Sequence, residues 1–85
     1  MKVEELENKV WEQDGVRIVI RHSSKAEVKN YMHKNRAQEN WSVKKFVQSR
    51  IESLLGNGKE VVVLSGDGKQ PHGRTLLKTI RESYN

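Results

Sequence analysis

The chain contains no cysteine and only one proline in its 85 residues. Without cysteine there is no disulfide bond, no thiolate nucleophile and no cysteine-based zinc site. The longest apolar run, Val61–Leu64, is far shorter than the roughly 20 residues that span a membrane, and the N-terminus lacks the apolar stretch of a signal peptide. We therefore expect a cytoplasmic protein without membrane contact, metal or cofactor.

The length and composition predict a single domain over residues 1–85. Hydrophobic residues make up 34% of the chain and charged residues 32%, which fits a globular domain with a modest core. A homodimer would cover apolar surface that so small a core leaves exposed.

The net charge of +5 is unevenly distributed along the chain. Residues 1–14 carry two lysines against five carboxylates, whereas residues 15–37 carry six lysines and arginines against Glu27 alone. Such segregation favours contact with a polyanion or with an acidic protein partner, the alternative being ordinary solubilising charge.

The segment 9–22 has the pattern of a β-hairpin. Asp14-Gly15 suits a tight type I′ turn, and β-branched residues alternate on the following flank. The register pairs Trp11 with Ile18 and Glu12 with Arg17, the latter as an ion pair. Four side chains would form the core face of the hairpin: Trp11, Val16, Ile18 and Ile20.

Three helices and a third strand follow in the predicted order ββααβα. Ser24 and Glu27 form a capping box for a helix over 25–37, and Ser42 caps a second helix that ends at Gly56. Residues 60–64 predict a strand buried on both faces, and 74–84 a last helix. Residues 1–8 are either flexible or a short helical turn. The predicted fold is α+β, with a three-stranded sheet, a right-handed helical connection and helices packed on the sheet.

The predicted helices would turn the following apolar residues inward: Val28, Tyr31 and Met32 in the first; Val43, Phe46, Val47, Ile51, Leu54 and Leu55 in the second; and Leu76, Leu77, Ile80 and Tyr84 in the last.

The loop 65–75 between the third strand and the last helix is rich in glycine and cations. Backbone N–H groups at Gly66, Gly68, Gly73 and Thr75 would hold an anion. The spacing from Gly68 to Gly73-Arg74-Thr75 resembles the phosphate-binding loop of nucleotide hydrolases, with arginine in place of lysine and Pro71 removing one donor. The chain is too short for the usual hydrolase sheet, so we expect anion binding at most.

The tripeptide Gly73-Arg74-Thr75 before a helix also resembles the minor-groove loop of H-NS-type bacterial DNA silencers, although only these few residues match. The resemblance implies that Arg74 enters the minor groove of DNA; the alternative is a plain turn between strand and helix. The predicted nucleic-acid-binding residues are Arg21, Lys25, Lys29, His33, Arg36, Lys69, His72 and Arg74.

No catalytic constellation is apparent. Ser65, Asp67 and His72 share a loop, but nothing marks a nucleophile held by an oriented base. The first hypothesis is a non-catalytic nucleic-acid-binding module, with DNA favoured over RNA. The second is a protein-interaction module, such as a small regulator, inhibitor or immunity-type protein, for which Trp41 offers a docking residue. The third is an anion-binding loop protein.

Overall fold

The computed structural model describes residues 1–21, 27–56 and 59–84. Within these ranges the elements are α1 Val3–Asp14, β1 Arg17–Arg21, α2 Val43–Phe46, a π-helical turn Val47–Ile51, α3 Glu52–Leu55, β2 Glu60–Leu64 and α4 Leu77–Ser83. The α2, π-helical and α3 segments follow one another without a break, and we call residues 43–55 the central helix. The α+β class is compatible with the prediction, but the predicted order of elements is wrong.

Helix α1 replaces the first strand of the predicted hairpin. It buries Val3, Leu6 and Val10, and Asp14 at its end is buried as well. These four positions recur at the three- and four-residue spacing of an amphipathic helix. In a helix all four side chains lie on one face, whereas a strand would turn Val3 away from the other three, so burial of this stripe stabilises the helix.

Gly15 ends helix α1 instead of forming a hairpin turn. It has the left-handed conformation, with a φ of 65°, and its N–H donates to the Trp11 carbonyl oxygen at 3.0 Å. The predicted pairs of Trp11 with Ile18 and of Glu12 with Arg17 are therefore wrong. Trp11 is 39% exposed and is not a core residue.

The strands β1 and β2 form a two-stranded antiparallel sheet. Arg17 lies opposite Leu64 and Arg21 opposite Glu60. The hydroxyl of Tyr84 joins the last rung, because it accepts the N–H of Arg17 at 2.9 Å and donates to the Leu64 carbonyl oxygen. The predicted three-stranded sheet with a right-handed crossover is wrong, since the hairpin strand is a helix and the two remaining strands run antiparallel.

The burial predicted for β1 is confirmed, although its partner is different. Val16, Ile18 and Ile20 are buried in the core. At the edge of β1 that faces away from β2, the Glu7 carboxylate of α1 accepts the N–H of Ile20 at 2.8 Å. Helix α1 thus occupies the place expected for a third strand.

Residues 27–37 form no regular helix, contrary to the helix predicted over 25–37; residues 22–26 lie outside the described ranges. The backbone of this segment pairs with distant residues. Val28 donates its N–H to the Met1 carbonyl oxygen at 2.9 Å, and Lys29 donates to Leu54 at 3.1 Å. Met32, predicted to face the core, is 73% exposed.

The central helix is confirmed, with a π-helical turn that the sequence did not reveal. The Ser42 hydroxyl accepts the N–H of Lys45 at 3.1 Å, as expected of an N-cap. The helix ends at Gly56, as predicted. Four apolar residues of the central helix are buried in the core: Val43, Phe46, Ile51 and Leu55.

Helix α4 is shorter than predicted and begins at Leu77 instead of residue 74. Leu77 and Ile80 are buried as expected, but Leu76 is 43% exposed. In the described part of the chain, no helix has the length and apolar character needed to cross a membrane.

Candidate functional site

Asp14 lies at the centre of a buried polar network. Its carboxylate accepts the N–H of Ala37 at 2.7 Å and the hydroxyl of Tyr31, and it pairs with Arg50 Nη1 at 3.0 Å. Burial raises the pKa of the Tyr31 hydroxyl above its usual value of 10.0, and the hydrogen bond to Asp14 adds to this effect. The network ties the end of α1 to the segment 31–37 and to the central helix.

Arg81 of α4 joins the same network through backbone carbonyl groups. Its Nε donates to the Asp14 carbonyl oxygen at 2.8 Å and its Nη2 to that of Ala37 at 2.7 Å. Burial lowers the pKa of the Arg81 guanidinium, and the nearby positive charge of Arg36 lowers it further. Within the described ranges, every buried side-chain nitrogen and oxygen has a hydrogen-bond partner. The network therefore stabilises the fold and offers no unpaired buried group to a ligand.

The structure separates the residues predicted to form one basic helical face. Lys25 lies outside the described residues. Lys29 lies beside the C-terminal end of the central helix, whereas the guanidinium of Arg36 lies so close to Gly15 that a Cβ there would overlap it. His33 is exposed. Because residues 27–37 are not helical, the predicted continuous stripe of cations does not form.

Two further predicted residues lie elsewhere on the surface. Arg21 is exposed at the end of β1, opposite Glu60. Lys69 is exposed in the turn that follows β2, where its carbonyl oxygen accepts the N–H of Ser65 at 2.9 Å. The predicted nucleic-acid-binding residues are thus spread over several parts of the molecule.

The loop 65–75 is held by hydrogen bonds within the chain. Gly66 donates its N–H to the Ser83 hydroxyl at 2.8 Å, and a Cβ on Gly66 would collide with the Ser83 carbonyl group. Gly68 and Thr75 also donate to acceptors in the loop, each at 2.9 Å. Three of the four residues predicted to bind an anion through the backbone therefore already have partners.

The side chains of Asp67 and His72 also bond within this loop. The Asp67 carboxylate accepts the Ser65 hydroxyl and, at 3.0 Å, the N–H of Lys69. These hydrogen bonds, that of Ser65 first, lower the pKa of the Asp67 carboxyl group. His72 accepts the N–H of Arg74 on its Nδ1 at 3.1 Å. Both side chains therefore shape the backbone around them.

The loop supplies the acceptors that the start of the central helix needs. The first N–H groups of a helix have no partner inside it. Val43 donates to the Thr75 carbonyl oxygen at 2.8 Å, and Lys44 donates to that of Gly73 at 2.9 Å. The loop carbonyl groups thus cap the central helix, a role that the glycine pattern did not indicate.

The segment before the central helix caps α4 in return. Leu77 donates its N–H to the Trp41 carbonyl oxygen at 2.8 Å, and Lys78 donates to Glu39 at 3.0 Å. An isolated antiparallel bridge joins Ser42 to Leu76 at the crossing. Two helix starts are therefore fixed against each other by reciprocal backbone hydrogen bonds.

Exposed cations gather around this crossing. We define the junction surface as Trp41, Lys44, Lys45, Arg74, Leu76 and Lys78, all of them exposed except the half-buried Trp41. The two segments 39–46 and 72–78 contribute one carboxylate, Glu39, against these four cations. Lys45 Nζ lies 4.9 Å from the centroid of the Trp41 ring, and Arg50 Cζ lies 5.1 Å from it. Trp41 thus holds a surface cation against a ring that also contacts the buried network.

The junction surface offers fixed positive charge beside an indole ring. Residues 1–21, 27–56 and 59–84 contain no group of three or more histidine, aspartate or glutamate side chains placed to hold a metal ion. No family model, curated protein or solved structure matches the chain at a significant level.

Proposed function

We propose that the protein is a small, non-catalytic nucleic-acid-binding module whose junction surface contacts DNA. The observation that carries the proposal is the gathering of four exposed cations, Lys44, Lys45, Arg74 and Lys78, on two segments that cap each other. Cations that neutralise phosphates release condensed counterions, which favours binding whatever the base sequence. The absence of cysteine fits the cytoplasmic location that we include in the proposal.

The rigidity of the junction supports this function. Binding is weakened by the entropy lost when side chains and loops become ordered. Here the backbone under the cations is already fixed by hydrogen bonds of 2.8–3.0 Å, and the Trp41 ring restrains Lys45. The junction surface is therefore a better primary contact than the separated residues Arg21, Lys29 and Arg36.

Arg74 favours DNA over RNA within the proposal. It is exposed, and the carbonyl group of the preceding Gly73 is held at the start of the central helix by the N–H of Lys44. An arginine presented in this way suits the narrow, negative minor groove of A·T-rich duplexes.

The test compares two double variants that remove the same charge. Lys44→Ala/Lys45→Ala removes two cations from the junction surface, whereas Lys2→Ala/Lys9→Ala removes two from around the acidic helix α1. Fluorescence anisotropy with a labelled duplex, at salt concentrations from about 50 to 200 mM, gives the salt slope of the affinity. We expect the junction variant to flatten the slope by about two units, and the control by much less. Equal effects would mean attraction by net charge alone, and no binding at about 50 mM salt would refute the proposal.

Arg74→Ala tests the minor-groove contact separately. If Arg74 enters the groove, its loss should weaken binding to A·T-rich duplexes by roughly 1 to 3 kcal/mol and to G·C-rich duplexes much less. Equal losses on both duplexes would assign Arg74 to phosphate contact.

A further inference from the structure

Alternate residues of β1 direct their backbone groups toward β2. In an antiparallel pair, each residue points its N–H and C=O either at the partner strand or away from it, and the direction alternates. Ile20 points away from β2, because its N–H donates to Glu7 of α1. Arg17 points toward β2, because the Tyr84 hydroxyl joins its N–H to the Leu64 carbonyl group.

The same alternation defines the outer edge of β2. Leu64 pairs with Arg17, so the backbone groups of Val61 and Val63 point to the opposite edge. No described residue forms a backbone hydrogen bond with either of them there. At the next outward position, Ser65 donates its N–H to Lys69, which closes the edge. Among the described residues, a short strand edge therefore remains open between the turn and the start of β2.

A partly apolar groove runs along this open edge. A cavity of about 320 Å³ lies between β2 and the central helix, and its lining includes five apolar residues: Val43, Val47, Val61, Val63 and Pro71. An open edge exposes backbone donors and acceptors at alternate positions, and an extended peptide has the complementary pattern. The side chains of such a peptide that face the sheet interior would enter the groove.

The two ends of the groove carry opposite charges. Lys44, Gln48 and Glu52 follow one another at four-residue intervals along the helix side of the groove. The central helix ends at Leu55 and β2 begins at Glu60, so Glu52 lies toward the start of β2 and Lys44 toward its end. A peptide with one acidic and one basic end matches this arrangement.

We propose that this groove binds an extended peptide of a partner protein, which adds to β2 as an antiparallel strand. An acidic side chain near the N-terminal end of the peptide lies beside Lys44, apolar side chains at alternate positions fill the groove, and a basic side chain lies beside Glu52. Antiparallel pairing is the more stable arrangement per residue. This activity goes beyond nucleic-acid binding, and the two activities meet at Lys44, which belongs to both surfaces.

The probe is a phage-displayed library of random peptides about eight residues long, the length of an ordinary strand. We expect enrichment of β-branched or apolar residues at alternate positions, between an acidic and a basic end. The best peptide is then synthesised, and its affinity is measured by fluorescence polarisation. Val61→Pro removes an outward N–H and also one valine side chain from the groove, so it should weaken binding at least tenfold, and the variant should fold because proline is tolerated at strand edges.

Glu52→Lys is a second variant, at an exposed position where folding is not at risk. It should weaken binding of the selected peptide several-fold and improve binding of the same peptide with its basic residue replaced by an acidic one. Val61→Pro should bind duplex DNA as tightly as the wild-type protein, so that failure of either proposal is distinguishable from failure of the other.

Three results would overturn the strand-addition proposal. The first is that no peptide is enriched, and the second is that the selected peptide binds the Val61→Pro protein as tightly as the wild-type protein. In the third, sedimentation shows that the wild-type protein is a dimer and the Val61→Pro protein a monomer, so that the edge is occupied by a second copy.

Discussion

Asp14→Ala should destabilise the protein more than any exposed substitution. The change removes the only carboxylate that contacts Arg50 within the described residues, at 3.0 Å, and it leaves the Tyr31 hydroxyl and the Ala37 N–H without their acceptor. Arg50 is only 8% exposed, so its charge cannot be solvated by a small movement. The variant therefore leaves a buried cation unpaired, which is the costly way to break an ion pair.

The expected loss is about 3 to 5 kcal/mol, the usual cost of removing one partner of a buried pair. A domain of this size has a total stability of roughly 4 to 13 kcal/mol, so the variant loses a large fraction of it. Asp14→Asn keeps one oxygen to accept from the Ala37 N–H and from Arg50, and loses the charge and the acceptor of the Tyr31 hydroxyl, so it should cost less, about 1.5 to 3 kcal/mol.

Urea denaturation, followed by circular dichroism, measures these losses. Asp67→Ala is the matched control, because Asp67 also accepts hydrogen bonds but is fully exposed. Arg50→Met and the double variant Asp14→Ala/Arg50→Met complete a cycle. The double variant holds no unpaired charge at this site, so its loss should be smaller than the sum of the two single losses by about 1 to 3 kcal/mol.

Two results would refute this reasoning. One is an Asp14→Ala variant that is no less stable than Asp67→Ala. The other is strict additivity in the cycle, which would show that Asp14 and Arg50 do not stabilise each other. If Asp14→Ala is unfolded without urea, the same cycle can be measured with Asp14→Asn.

Two further predictions concern backbone packing and pH. Gly66→Ala should cost more than Gly68→Ala, because a Cβ on Gly66 would collide with the backbone carbonyl group of Ser83, whereas a Cβ on Gly68 would meet no atom within 4 Å; urea midpoints that agree within error would contradict this. Burial raises the pKa of Tyr31 and Tyr84 above 10.0 in the folded chain, so the unfolded chain loses these protons at lower pH than the folded chain. The contribution of the two tyrosines to the free energy of unfolding is therefore fully present below about pH 10 and decreases as the pH rises further. In the double variant Tyr31→Phe/Tyr84→Phe, the urea midpoint should decrease less between about pH 9 and 11 than in the wild-type protein. An equal decrease would show that these two tyrosines do not cause the pH dependence.

The central helix and β2 could be predicted because their signals are local. Ser42 precedes apolar residues at helical spacing, and Gly56 stops the pattern. The unbroken valines of 61–63 have strong strand preference and no competing helical periodicity. For these elements the tertiary structure agrees with what each short segment favours.

The prediction for the N-terminal segment was wrong because the dipeptide Asp14-Gly15 suits two structures. The dipeptide is typical of a tight hairpin turn, and a glycine after a helix is equally typical of a helix end. The deciding information is the apolar stripe that runs from Val3 to Val10 and continues to Asp14. A buried carboxylate at that position is stable because Arg50, Tyr31 and Ala37 reach it from distant parts of the chain, and no local pattern shows this.

The location of the candidate site also depends on contacts between distant residues, which no local pattern shows. The sequence singled out the loop 65–75 for its glycines and cations, but in the structure its carbonyl groups at Gly73 and Thr75 cap the central helix. That capping brings Lys44 and Lys45, which carry no motif of their own, alongside Arg74. Charge composition thus indicated that a cationic surface would exist, whereas its location depends on where two helix starts cross. The proposed DNA contact and the strand-adding groove both begin at that crossing, so a substitution that separates the two segments should impair both activities together.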